Sequence, residues 1–397
     1  MPTTLEEHRA DVEALLAGLA RDETVDLTAA AGRVLAVDVV ARVAVPAFRN
    51  AQMDGFAVRA AEAVPGATLP VRGEVPAGAR DVAPLAPGAA ARIMTGAPVP
   101  AGADAVVAVE RTSVGAFVPG VVPDQVGFDA RVEPGASVRE AGDDVAVGAL
   151  VVPAGAVLTP ARLAACAASG VGQVVVRARP RVAVLSTGAE LAPAGARLGP
   201  GQVYDTNSLA LAAAVELAGG VVVHRGTTSD DPGELERTLS RAASDADLVL
   251  TSGGVSKGAY EVVKDLLQDE GVRFRTVAMQ PGGPQGWGTF RGTPLVAFPG
   301  NPVSAQVSFV VLVRDALRRA AGLGPAPRGR AALVEPVSSP RGRRQLLRGV
   351  RDGAGVRPVG GPGSHLVVTM ARADVLVDVP QDVTALGAGD EVEVWEL

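Results

Sequence analysis

The 397-residue chain has little of what several function classes need. Cys166 is its only cysteine, so no intramolecular disulfide can form. His8, His224 and His365 are its only histidines and stand far apart, which nearly excludes a Cys/His zinc site. Any metal has to rest on oxygen ligands, which points to magnesium. Aromatic residues make up 3% against a hydrophobic share of 48%, so the cores have to be built from Ala, Val and Leu. The net charge of -6 comes with no long block of like charge and does not suggest nucleic-acid binding. No apolar run reaches membrane-spanning length, and residues 1–9 lack a basic-then-apolar leader. The chain therefore reads as soluble and cytoplasmic. Lysine is almost missing: Lys257 and Lys264 are the only two. Lys257 stands in a glycine loop, although a composition that favours Arg explains its placement equally well.

Glycine (48) and proline (30) are abundant and spread along the chain, which means many turns rather than disorder. The most telling stretch is Asp247-Leu-Val-Leu-Thr-Ser-Gly-Gly-Val-Ser-Lys-Gly258. Leu248–Leu250 suits a buried parallel strand. Ser252, Gly253, Gly254, Val255, Ser256 and Lys257 then form a bend whose amides suit anionic oxygens, and a helix is expected from about Glu261 to Glu270. Strand, glycine loop and helix make a phosphate-binding arrangement; a plain strand-to-helix turn is the other reading.

In chain order, Leu5–Leu19 has helical spacing with Thr4 as N-cap. A loop from Pro46 carries Asp54-Gly55, either a turn pair or a functional carboxylate. From Val58 to about Val152 the text predicts short strands, at Leu69–Gly73, Ala90–Met94, Ala105–Val109 and Phe117–Val122. Thr159-Pro160 starts a helix that Gly170 ends. Because helical segments flank the strand-rich stretch, it reads as an insertion. After Arg179-Pro180, strands and helices alternate, which predicts a doubly wound, mostly parallel α/β sheet. Ligands bind such sheets at the carboxyl ends of the strands, so Ser186–Glu190, Thr227–Asp231, Thr251–Lys257 and Pro299–Ser304 should converge. Glu190, Asp230 and Glu261 would then face phosphate, and magnesium between them removes the repulsion. Asp231 reads as a helix cap. After a Gly/Pro linker at 324–330, strands at Ala331–Pro336, Gln345–Val350, Val367–Met370, Val375–Val379 and Glu391–Glu396 predict a small β-barrel. Arg341, Arg343, Arg344 and Arg348 form a basic cluster there, either a solvated edge or an anion site.

These residues carry a resemblance. Asn50-Ala-Gln-Met-Asp-Gly-Phe-Ala57, Ile93-Met-Thr-Gly-Ala-Pro98, Ser186-Thr-Gly-Ala-Glu-Leu191, Tyr204-Asp-Thr-Asn207, Asp230-Asp-Pro232, Ser252-Gly-Gly-Val-Ser256 and Pro299-Gly-Asn-Pro-Val-Ser304 fall in the order found in the MoeA/gephyrin E-domain family, the molybdopterin molybdenumtransferases. The resemblance covers essentially the whole chain. It implies four domains: 1–40 with 145–178, an inserted β-domain at 41–144, a MogA-like α/β molybdopterin-binding domain at 179–325, and a β-barrel at 326–397. It implies a magnesium-dependent enzyme that inserts molybdate into adenylylated molybdopterin and releases AMP. It further implies a homodimer with the cleft shared between subunits, with a molybdopterin adenylyltransferase and molybdoenzymes as candidate partners.

By position, catalytic roles carry over to Asp54, Thr95, Asp144, Glu190, Asp230 and Glu261, the last in place of the family's Asp. Metal binding carries over to Glu190, Asp230 and Glu261. Cofactor binding carries over to Ser186, Thr187, Gly188, Asp205, Ser252, Gly253, Gly254, Val255, Ser256, Lys257, Pro299, Asn301, Pro302, Ser304, Arg343 and Ser364. Three positions depart from the pattern: Gln52 replaces a small residue, Phe56 replaces Tyr, and no lysine stands in Thr276–Gly283 where some members have it. Positive charge at the oxyanion site then falls to Lys257, Arg275, Arg343 or magnesium. An adenylyltransferase-like enzyme and a non-catalytic scaffold are the alternatives.

Overall fold

A computed structural model describes residues 3–229, 231–255 and 262–397. The chain divides into two compact units, the segment up to Glu23 together with Val176–Leu397, and Thr24–Val175.

Helix α1 (Leu5–Leu16) starts where its signals lie. The Thr4 hydroxyl accepts from the Glu7 N–H at 3.2 Å, and the Glu7 carboxylate accepts from the Thr4 N–H at 2.9 Å, a reciprocal cap. Its last expected turn is a 3-10 turn, Ala17–Leu19. The buried face is Leu5, His8, Val12 and Leu16.

The unit Thr24–Val175 is built on a five-stranded sheet: β1 (Gly55–Val58), β2 (Thr68–Val75), β3 (Ala90–Ile93), β4 (Ala105–Ala108) and β5 (Gln125–Gly127), in the order β4-β1-β3-β2-β5. Every residue of β1, β3 and β4 is buried. Alternate residues feed two cores, Phe56, Val58 and Val107 on one face and Ala57, Ile93 and Val106 on the other. Gly55 is therefore a strand residue rather than the second half of a turn. A Cβ there would lie 1.9 Å from the Val107 carbonyl oxygen, so only glycine admits the neighbouring strand. The strand expected at Phe117–Val122 is absent. Pro119-Gly120 turns the chain, with Gly120 at φ 74, and the fifth strand forms at Gln125–Gly127. Helix α2 (Pro160–Ala168) is capped by Thr159, as expected.

In the other unit the alternating segments form a six-stranded sheet: β6 (Arg181–Thr187), β7 (Val221–Thr228), β8 (Leu248–Ser252), β9 (Arg273–Thr276), β10 (Pro284–Phe290) and β11 (Thr293–Phe298), in the order β7-β6-β8-β11-β10-β9. The first four run parallel. Only β10 runs the other way, because Arg291-Gly292 alone joins it to β11; both have positive φ (49° and 84°), the geometry of a tight hairpin, and β9 pairs antiparallel with β10 and so runs with the first four. Helices α3 (Asn207–Leu217), α6 (Pro302–Ser308) and α7 (Arg314–Ala320) pack with α1 on the face of Val184, Leu250 and Phe298. Helices α4 (Pro232–Asp245) and α5 (Val262–Asp269) cover the face of Leu185, Val249 and Ala297. Covering both faces is why these strands read as unbroken apolar runs.

Strands β12 (Arg328–Leu333), β13 (Arg344–Asp352), β14 (Gly355–Pro358), β15 (Val375–Val379) and β16 (Glu391–Glu396) close into a barrel. They follow one another as β13-β14-β12-β16-β15, and β15 pairs back onto β13. Val367–Met370, expected as a strand, is a helical turn, α8. Met370 joins the core of the α/β sheet, and that burial overrides the local β-propensity of Val-Val-Thr.

Candidate active site

Three strands of the α/β sheet end together. Ser186 is the next-to-last residue of β6, Ser252 ends β8, and Pro299 follows β11. Their ends, with the start of α3, line a cavity of about 690 Å³ that includes Gly188, Glu190, Asp205, Asn207, Gly253, Gly254 and Asn301. The Gly253 N–H donates to the Phe298 carbonyl at 3.0 Å. Gly253 has φ 103°, and a Cβ on it would lie 2.5 Å from the Thr187 carbonyl and hydroxyl oxygens. The bend thus presses on the neighbouring strand end, and its sequence cannot change without moving it.

Asp205 organises the floor. One carboxylate oxygen accepts from the Ser186 hydroxyl at 2.7 Å and the Ser208 N–H at 3.0 Å; the other accepts from the Ser208 hydroxyl. The Ser186 hydroxyl also lies 3.2 Å from that of Ser252. These side chains tie β6, β8 and α3 together and have few bonds left for a ligand. Glu190 differs: it is exposed on the cavity rim, and its carboxylate makes no hydrogen bond or ion pair among the described residues. Val255 is a core residue beside α4. Asp231 caps α4 by accepting from the Glu234 N–H at 2.8 Å. Asp230, Ser256, Lys257 and Glu261 lie outside the described residues.

A second cavity, of about 820 Å³, is lined by the segment Thr276–Pro284 and by Pro299, Asn301, Ser304, Arg341, Arg343 and Ser364. Gly300 and Asn301 line both cavities. The basic cluster divides here. Arg344 is bound by Asp378 (2.6 and 2.7 Å) and Glu6, and the Asp378 contact raises its pKa above the usual range. Arg348 is buried and donates to the carbonyls of Gly360, Gly361 and Gly363, which shape the loop bearing Ser364. Arg341 and Arg343 are exposed on the cavity and make no ion pair among the described residues. Arg275 is held over the Trp287 ring at 3.6 Å and bonded to Asp11.

In the unit Thr24–Val175, Asp54 and Thr95 meet. One oxygen of Asp54 accepts from the Thr95 N–H at 2.6 Å and the Thr95 hydroxyl at 2.8 Å. The N–H bond first, and then the hydroxyl, hold the Asp54 pKa below the ordinary carboxylate range. Asp144 is exposed, with its N–H on the Val45 carbonyl at 2.9 Å.

Asn207 and Arg341 enter the site without having been assigned to it. Asn207 stood in a quoted motif, and its position at the head of a helix that follows an Asp was the available signal. Arg341 stood in a cluster whose four members the sequence could not tell apart. Among the described residues, no three His, Cys, Asp or Glu side chains come close enough to hold a metal.

Family models match nearly all of the chain: the MoeA N-terminal region (domain I and II) at residues 3–170, a probable molybdopterin binding domain at 183–319, and the MoeA C-terminal region (domain IV) at 330–397. Molybdopterin molybdenumtransferase 2 of Mycobacterium tuberculosis is 46% identical, with 99% of each chain covered. Molybdopterin molybdenumtransferase of Haemophilus influenzae is 33% identical, with 98% of each covered. The solved structure of a molybdopterin biosynthesis MoeA protein from Pyrococcus horikosii superposes with a TM-score of 0.80 at 32% identity, covering 100% of this chain and 99% of that one. With the three family regions in order along its length and relatives matched end to end, the chain belongs to the MoeA family of molybdopterin molybdenumtransferases.

Proposed function

We propose that the protein inserts molybdate into adenylylated molybdopterin, with release of AMP. The observation that carries this reading is a pair of cavities of opposite character sharing one wall, one with a glycine bend and the Glu190 carboxylate, the other with Arg341 and Arg343, none of these three side chains paired among the described residues. The first suits a nucleotide-linked diphosphate, with the Gly254 amide left to meet its oxygens, since that of Gly253 is bonded to the Phe298 carbonyl. The second suits a tetrahedral oxyanion, held by Arg341, Arg343 and Ser304, while the Asn301 side chain makes no capping bond and is free to donate. Lying on either side of Gly300–Asn301, the two reactants are held next to each other.

The donor set fits magnesium, because its candidate ligands are oxygens only and Glu190 has no competing partner among the described residues. Glu190 would hold the ion together with Asp230 and Glu261. Bound there, magnesium supplies charge neutralisation and polarisation of the anhydride. The chain's own groups orient the diphosphate through the glycine bend and the molybdate through the arginines. Asp54 with Thr95, and Asp144, complete the site from a second subunit of a homodimer. The four domains keep the boundaries given above, and the protein works in the cytoplasm.

The test is molybdate-dependent AMP release from adenylylated molybdopterin. Glu190→Gln is expected to slow it by about a hundredfold or more, the scale of losing an electrostatic catalytic contact. A wild-type protein that instead makes the adenylylated form from ATP, or a Glu190→Gln variant at full rate, would refute the assignment.

A further inference from the structure

The wall between the two cavities is thin. It consists of Gly300, which has no side chain, and Asn301. On one side it rests on backbone: a Cβ on Gly300 would lie 3.4 Å from the Gly253 Cα. A side chain of the same cavity lining also reaches it. The Asn207 amide donates to the Gly300 carbonyl at 2.7 Å. Asn207 is 8% exposed, opens α3 and lines the first cavity. Thr206 holds the N-cap position, so the Asn207 side-chain oxygen, one residue on, is not placed to cap the helix. Here that oxygen is buried without a partner among the described residues, and the donor end is turned to the wall. Leaving a buried acceptor unsatisfied is unfavourable, and capping does not explain it.

We propose that Asn207 is a positioning residue: by holding Gly300 it sets the wall that both cavities share, and so couples occupancy of one cavity to occupancy of the other. A ligand in the first cavity orders the wall through Gly253, Gly254 and Asn207. A ligand in the second orders it through Asn301 and Ser304. Whichever binds second meets a wall already ordered and binds more tightly, and the effect is reciprocal. The choice of ligands rests on the proposed function above.

The experiment is calorimetric titration of the full-length protein with molybdate, in magnesium, with and without saturating AMP, for wild type, Asn207→Ala and Asn207→Asp. In the wild type AMP is expected to tighten molybdate about fivefold, a typical coupling between two sites. In both variants the factor falls to near one in protein that still unfolds in a single cooperative transition, at a somewhat lower temperature than wild type. Asn207→Asp keeps the shape but sets a carboxylate against a carbonyl, so it separates the lost donor from lost packing. An unchanged factor in folded variants overturns the proposal, as does a wild type that binds both ligands independently. A wild type that binds neither ligand defeats the reading of the cavities as well. If neither variant folds, hydrogen exchange on the wild type decides: each ligand alone must slow exchange across residues 299–304, and a ligand that leaves it unchanged overturns the coupling.

Discussion

Asp54 and His8 are displaced from ordinary acid–base behaviour for opposite reasons. Asp54 is exposed, and its charge is favoured by two donors from one residue, Thr95. Its folded pKa is depressed, so this contribution to stability is present above the ordinary carboxylate pKa and is lost as pH falls through the folded value. Thr95→Val removes the hydroxyl and leaves the N–H, which is the larger cause. The Asp54 pKa should therefore rise, but only part of the way to normal. Carbon-detected NMR titration of the carboxyl group checks this, and an unmoved pKa would contradict the assignment. His8 is buried, with both ring nitrogens unpartnered among the described residues, and lies edge-on to Trp287 at 5.0 Å. Burial lowers its pKa from 6.5 to about 4. Between those values the unfolded chain takes up a proton that the folded chain refuses, so stability falls as pH drops from 6.5 toward 4, by at most roughly 3 kcal/mol. His8→Leu should flatten that slope, read by denaturant unfolding at neutral and acid pH.

At the scale of elements, the glycine bend after β8 is the least replaceable piece. Gly253 combines a positive φ with a Cβ position already occupied by Thr187. Gly253→Ala is expected to destabilise the protein by about 1–3 kcal/mol and to weaken AMP binding, because the bend has to move away from Thr187. Calorimetry and thermal unfolding check both; an alanine variant of full affinity would mean that the bend does not face the nucleotide. The strands were largely legible in the text, and the reason is geometric: a strand covered on both faces, as β6 and β8 are, leaves an unbroken apolar run. Val367–Met370 was misread because four residues carry too little pattern to outweigh where Met370 is buried. The ribbon-like hairpin of β13 and β14 was half seen, since β14 has only four residues, two of them Gly355 and Pro358.

The whole molecule consists of two units that carry different parts of the predicted constellation, Asp54, Thr95 and Asp144 in one and Glu190 with both cavities in the other. If the site is completed across a homodimer, mixing an Asp54→Ala chain with a Glu190→Gln chain restores activity. Random pairing puts one intact site in half of the dimers, so about a quarter of wild-type activity should return. A mixture as inactive as its components would place the whole site within one chain.

By itself the sequence determined the kind of protein this is. The order of the motifs and the alternation of apolar runs with capped helices are local properties, and they lead to the family, the α/β sheet and the C-terminal barrel. Only the tertiary structure decided which polar groups remain available at the candidate site. Arg343 and Arg344 are neighbours in the text, yet one faces a cavity and the other is tied to Asp378 and Glu6. Ser186 reads as a ligand and is bonded to Asp205, while Asn207 carries no assignment and holds the wall between the cavities. The partners that settle these cases come from distant parts of the chain, and a hydrogen bond is set by distance in space, which local spacing does not encode.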